Sequence, residues 1–363
     1  MIKNLSRMSV LLFLVVLVLL VTGCEGQAPT NAWPSLSVYG DTVYASLGPR
    51  IVALDTSSGS QQWSFPPTDT KKGETYYAAP TEGTDGRLFV GSYLDKFYAL
   101  EAKSGAEVWA FATLGSIVDS ATVTNGVVYF GANDRYVYAL SADKGQQKWQ
   151  FAMQHWGWAT PVYDRGQLYV GSMDHNLYCL NAENGTSLWQ YTALGAIASA
   201  PTVAGGALYF GDFDRQIHAL EAATGKELWQ VTLSNWVWGT PALAGKTLYV
   251  GDLSGTVYAL SAADGKQIWQ FSTTGGVRAS VIVSDGVVYA VSEGGMVYAL
   301  DALSGKQKWV FTSEAAAKSG GFLSAPVVSG DTLYVVSGGE QIYAIAAASG
   351  TQKWVFNPAA SKG

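Results

Sequence analysis

One eleven-residue phrase occurs eight times in this chain and restricts its architecture more than any other feature. It reads ALDTSSGSQQW at 53–63, ALEAKSGAEVW at 99–109, ALSADKGQQKW at 139–149 and CLNAENGTSLW at 179–189. The series continues with ALEAATGKELW at 219–229, ALSAADGKQIW at 259–269, ALDALSGKQKW at 299–309 and AIAAASGTQKW at 344–354. Between the closing tryptophans lie five consecutive intervals of 40 residues, flanked by one of 46 and one of 45. A fixed period in the range of roughly 20–50 residues marks a repeated supersecondary unit whose copies stack to bury a common core.

One period, 196–233, predicts four short strands. AIASAPTV and ALYFG flank Ala204-Gly205-Gly206, and the corresponding turns elsewhere are Asn125-Gly126 and Asp285-Gly286, which favour tight hairpins. QIHALEA and ELWQVT follow, separated by Thr224-Gly225-Lys226. The alternation within Tyr-x-Leu and Val-x-Phe fits strands packed against neighbouring sheets. With 48% hydrophobic and 14% charged residues, the chain has ample material for such a core. Four antiparallel strands per repeat give an all-β, eight-bladed β-propeller spanning 33–356, with a C-terminal tail at 357–363. The copies begin and end in phase, so the ring is expected to close by packing of whole blades.

The phrase resembles the tryptophan-docking motif of quinoprotein-like propellers, Ala-x-Asp/Asn-x-x-Thr/Ser-Gly-x-x-x-Trp. Asp55, Asn181 and Asp301 keep the third position; Glu101, Ser141, Glu221, Ser261 and Ala346 depart from it, as Lys144 and Asp264 do before the glycine. The resemblance makes Trp63, Trp109, Trp149, Trp189, Trp229, Trp269, Trp309 and Trp354 structural wedges between blades. Cys179 takes a motif alanine position and reads as a buried thiol.

The N-terminus has a basic start, Lys3 and Arg7, and an apolar run ending at Val21. That run is short for a spanning helix and reads as an export signal. Val21-Thr22-Gly23-Cys24 resembles a bacterial lipobox, which implies a lipoprotein signal peptide at 1–23, acylation of Cys24 and a tether at 24–32. Two or more acyl chains hold a protein stably on a bilayer. Cleavage takes two bases and no acid, moving the net charge from −6 to −8. No long basic patch exists, so nucleic acid is not an expected partner.

Five tryptophans lie outside the motif: Trp33, Trp156, Trp158, Trp236 and Trp238. All are expected at the start of a blade's innermost strand, which lines the central channel. Around the ring, one equivalent position reads Trp33, Tyr77, Val118, Trp158, Ala198, Trp238, Arg278 and Leu323; Trp156 and Trp236 stand two residues earlier. The scaffold repeats because every blade must pack alike, whereas these positions vary. Either they face an unsymmetric ligand or partner at one channel mouth, or the indoles fill gaps between blades. Aromatic residues and arginine dominate interface energetics, and concave aromatic sites also suit small molecules. Asp119 either faces the channel or is solvated. By connectivity, the hairpins Asp134-Arg135, Asp174-His175 and Asp214-Arg215 share that face with both insertions, 66–75 and 313–321, and with the tether.

Catalytic signals are few. His218 replaces a repeat tyrosine and reads as core. His155 and His175 with Asp174 form a conceivable metal site, although a solvated turn explains them as well. The Gly-Lys pairs at 225–226, 265–266 and 305–306 are motif turns, no G-x-S-x-G elbow occurs, and no adjacent cysteine pair or haem motif is present. No catalytic residue, metal or cofactor is therefore expected. In size, anchor and blade number the chain is also similar to the propeller lipoproteins of the outer-membrane β-barrel assembly machinery, a non-catalytic scaffold family. The resulting expectation is an exported protein anchored to a bacterial membrane through Cys24, binding a membrane-embedded or envelope protein. A small-molecule or glycan receptor and a quinone-dependent oxidoreductase are the alternatives.

Overall fold

The structure is a computed structural model that describes residues 33–67 and 74–358. The signal segment, Cys24, the tether up to residue 32, residues 68–73 of the first insertion and residues 359–363 lie outside the described residues. The rest forms eight sheets, each of four antiparallel strands in chain order. The fifth blade shows the pattern: β1 (Thr202–Ala204), β2 (Ala207–Gly211), β3 (Gln216–Glu221) and β4 (Glu227–Thr232). Gly205 and Gly206, at φ 59° and 83°, supply the two left-handed residues of its first hairpin. Leu208 to Phe210 and Ile217 to Leu220 are buried because both faces of the middle strands meet neighbouring blades. The outermost strand alternates exposed and half-buried residues, having a neighbour on one face only.

Each motif tryptophan reaches the next blade. Trp189 donates its indole N–H to the carbonyl of Ala222 at 3.2 Å and lies flat on Gly225, where a Cβ would stand 2.6 Å from the ring. Tyr169 donates its hydroxyl to the same carbonyl at 3.1 Å. Blade 2 has Phe89 in place of that tyrosine, and Arg87 donates to the Ala142 carbonyl instead, beside Trp109. The ring closes by the same contact: Trp354 donates to the carbonyl of Thr56 at 2.9 Å and covers Gly59. Leu36, Val52 and Leu54 of the first blade share one apolar cluster with Tyr334, Ile342 and Phe356 of the last. Whole blades therefore meet, and no blade is shared by the two ends of the chain.

The glycine under each indole has two demands on it, left-handed backbone and absence of a side chain. Gly185→Ala is expected to destabilise by about 2–4 kcal/mol, since a Cβ would sit 2.7 Å from Trp149 at φ 74°. Gly205→Asn, at φ 59° in open space, is expected to change stability by under about 1 kcal/mol. Urea unfolding of the two variants checks the contrast.

The innermost strands are shorter than the sequence suggests. AIASAPTV reads as extended throughout, yet this strand, β1 of the fifth blade, starts at Thr202, immediately after Pro201. In six blades a proline precedes this strand (Pro34, Pro80, Pro161, Pro201, Pro241 and Pro326), and without an N–H it cannot continue a ladder. The non-motif tryptophans thus lie just before the innermost strands, Trp156, Trp158, Trp236 and Trp238 on the segments crossing from one blade to the next. The second insertion adds a short helix, α1 (Glu314–Lys318), capped by Ser313, whose hydroxyl accepts from the Ala316 N–H at 3.1 Å.

Candidate functional site

The crossing segments are fixed to the hairpins between second and third strands, and this alignment assembles one face of the ring. Met173 N–H donates to the Trp156 carbonyl, Phe213 N–H to that of Ala196 and Leu253 N–H to that of Trp236, at 3.0–3.1 Å. Asp134 and Asp174 bind the crossing backbone from below, accepting from Leu114 N–H at 3.0 Å and Gln154 N–H at 2.8 Å. The helical insertion belongs to this face as well, because Ser313 N–H donates to the Gly295 carbonyl in the adjacent hairpin.

All eight ring positions, from Trp33 round to Leu323, line one cavity of about 290 Å³. Trp33, Trp158 and Trp238, from blades 1, 4 and 6, meet across the channel. Their ring centroids are 6.1–6.4 Å apart, in edge-on and tilted arrangements. Trp158 donates its indole N–H to Asn133 at 2.8 Å. Trp156 stacks on Trp158 at 5.6 Å, whereas Trp236 stacks at 5.2 Å on Phe213, which in turn touches Trp238 at 4.8 Å. Trp33, Trp156 and Trp236 remain 36%, 40% and 47% exposed, so the cluster is not sealed between blades.

Arg278 is tied down on two sides. Its guanidinium lies 4.6 Å from the Trp238 ring centroid and forms an ion pair with Glu293 at 2.9 Å. Asp119, which sequence left undecided, lines the cavity and accepts from Ser120 N–H and Thr160 N–H, both at 2.7 Å. Enclosure by the channel wall pushes its carboxyl from about 4 up to about 6. The folded chain then binds this proton more tightly than the unfolded chain, so stability falls as pH rises through that window. Asp119→Asn is expected to be more stable than wild type by about 1–2 kcal/mol at pH 8, and less stable at pH 4, where only a lost acceptor counts. Denaturant unfolding at the two pH values tests it; equal effects at both would contradict the assignment.

Several residues of this face were not singled out from sequence. Phe213, Glu293, Asn133 and Tyr93 occupy the hairpins beneath the crossing segments, Tyr93 packing against Tyr77 at 5.5 Å. Their signal was available, because the residue two places after the second strand's final glycine or valine also varies from copy to copy. Leu114 and Leu194 are 89% and 73% exposed on the crossing segments.

The remaining candidates are held by near neighbours. Asp174 accepts from Asn176 and Tyr178 as well as Gln154, and His155 packs on Trp156 at 4.8 Å. Among the described residues no group of three or more His, Cys, Asp or Glu side chains is placed to hold a metal. His218 is buried but polar in its contacts, 3.2 Å from Asp212 and 3.1 Å from the Tyr191 hydroxyl. Cys179 is fully buried, and burial pushes its thiol up to about 12.

A family model described as outer membrane protein assembly factor BamB matches residues 48–155, 149–234, 213–319 and 314–362. The chain belongs to the BamB family. The crystal structure of BamB from Moraxella catarrhalis superposes with a TM-score of 0.70 at 17% identity, covering 86% of this chain and 95% of that one. The computationally designed Ika8 protein superposes equally well, with a TM-score of 0.73 at 16% identity over 92% of this chain and 98% of its own. At such identities the likeness concerns fold alone. A 108-residue stretch is 30% identical to the serine/threonine-protein kinase AfsK of Streptomyces griseus, covering 30% of this chain and 13% of the kinase. The chain thus spans about an eighth of that relative's length. A quinone cofactor, which the docking-motif resemblance would imply, meets an unfavourable lining in this cavity: Arg278 is already paired with Glu293, and Asp119 lines the wall.

Proposed function

We propose that this protein is a non-enzymatic scaffold of the bacterial envelope, tethered by acylated Cys24 and engaging an integral protein partner through the aromatic mouth. Its membership of the BamB family supports a role in outer-membrane protein assembly. The observation that carries it is an asymmetry. The blades repeat one frame, while the exposed indoles Trp33, Trp156 and Trp236, with Leu114 and Leu194, lie at or before the innermost strands on one face. Exposed indoles are costly to leave in water and are typical of a surface that a partner covers. The mouth also has the composition of an interface centre, with indoles, Phe213 and a pinned arginine.

Affinity purification from detergent-solubilised membranes tests the reading. An integral outer-membrane protein should co-purify with the tagged wild type and be lost from Trp156→Ala/Trp236→Ala, while Cys24→Ser should release the chain from the membrane fraction. Equal recovery with the double variant would refute the mouth as the contact.

A further inference from the structure

We infer that the channel cavity behind the three meeting indoles is a binding site for an alkylammonium group. Asp119 lines this cavity and has no cationic partner among the described residues, its oxygens being met by the Ser120 and Thr160 N–H groups and the Thr160 side chain, all neutral donors. An enclosed carboxylate in that position is poorly compensated, and a cation entering the cavity would complete it. Arg278 cannot serve, because Glu293 holds it at the ring's other side.

Two further observations set the chemical class. Three residues of the cavity wall, Tyr77, Ser199 and Ser324, carry buried hydroxyls without a hydrogen-bond partner, and both Tyr77 and Ser199 are only 5% exposed. A primary ammonium brings three donors and no acceptor, which matches a carboxylate in a wall whose other polar side chains include hydroxyl acceptors. The indole wall adds attraction for an organic cation, and Arg278 over Trp238 already shows that this wall accepts one. An anion would meet Asp119 with no free counter-charge. The ammonium comes either from a free amine or from a lysine side chain of a docked protein, and the same chemistry serves both.

The test is calorimetric titration of the full-length protein in detergent at pH 8, with n-pentylamine, with the neutral isostere 1-pentanol, and with a short peptide carrying one lysine. The amine should bind at least tenfold more tightly than the alcohol, and Asp119→Asn should lose that preference while melting as a folded protein. A lysine peptide binding more tightly than pentylamine assigns the site to a docked protein; the reverse order assigns it to a soluble amine. Equal heats for amine and alcohol, or unchanged amine binding by Asp119→Asn, would overturn the proposal. Because Trp156 and Trp236 lie outside this cavity, failure here leaves the co-purification result unaffected, and the two readings fail separately.

Discussion

Truncating Trp149 to alanine is expected to lower the unfolding free energy by about 3–5 kcal/mol, measured by urea denaturation. Trp149 is 9% exposed, lies on Gly185 and packs against Tyr129 at a centroid distance of 5.8 Å. Its indole N–H donates to the Ala182 carbonyl at 3.1 Å, yet that carbonyl also accepts from the Tyr129 hydroxyl at 3.0 Å. Removing the indole therefore strands no buried acceptor. The loss is one of apolar area and of a cavity at the seam between blades 3 and 4. Trp149→Phe, which keeps most of the ring, should recover more than half of it. A loss below about 1 kcal/mol for the alanine variant would mean that the indoles do not hold the blades together.

Partner affinity is expected to fall at least thirtyfold in Trp156→Ala/Trp236→Ala, with stability changed by under about 1 kcal/mol. The two indoles are 40% and 47% exposed and each stacks on a ring, Trp158 or Phe213, that stays in place when it is removed. Their truncation therefore changes the surface more than the core. Central aromatic anchors typically contribute about 2 kcal/mol or more each to an interface, and a loss of that size is a factor of roughly thirty. Titration of the captured partner against both proteins checks it. A weakening below threefold would place the contact elsewhere on the ring.

The period, the four strands and the closing seam follow from residues that every blade needs: a glycine under an indole, a two-residue turn, and alternation in the middle strands. The convergence of Trp33, Trp158 and Trp238 was legible because register alone places them on one level of the ring. The stacking of Trp236 on Phe213 was not, since that ring comes from a hairpin 23 positions earlier in the chain. Arg278 was legible as a lone charge, but its pairing with Glu293 depends on a hairpin that folds back over the crossing segment. Asp119 could not be oriented because its setting is made by the Thr160 N–H of the next blade. Prolines such as Pro201 marked the true start of the innermost strands and were outweighed by the apolar alternation around them.

Site-specific photocrosslinking in intact membranes addresses the central claim most directly. A crosslinker at Trp236 should label an integral outer-membrane protein, while one at Lys246, on the turn at the opposite end of the same blade, should not. Labelling from Lys246 alone, or only of soluble bystanders from Trp236, would contradict a mouth that faces an integral partner.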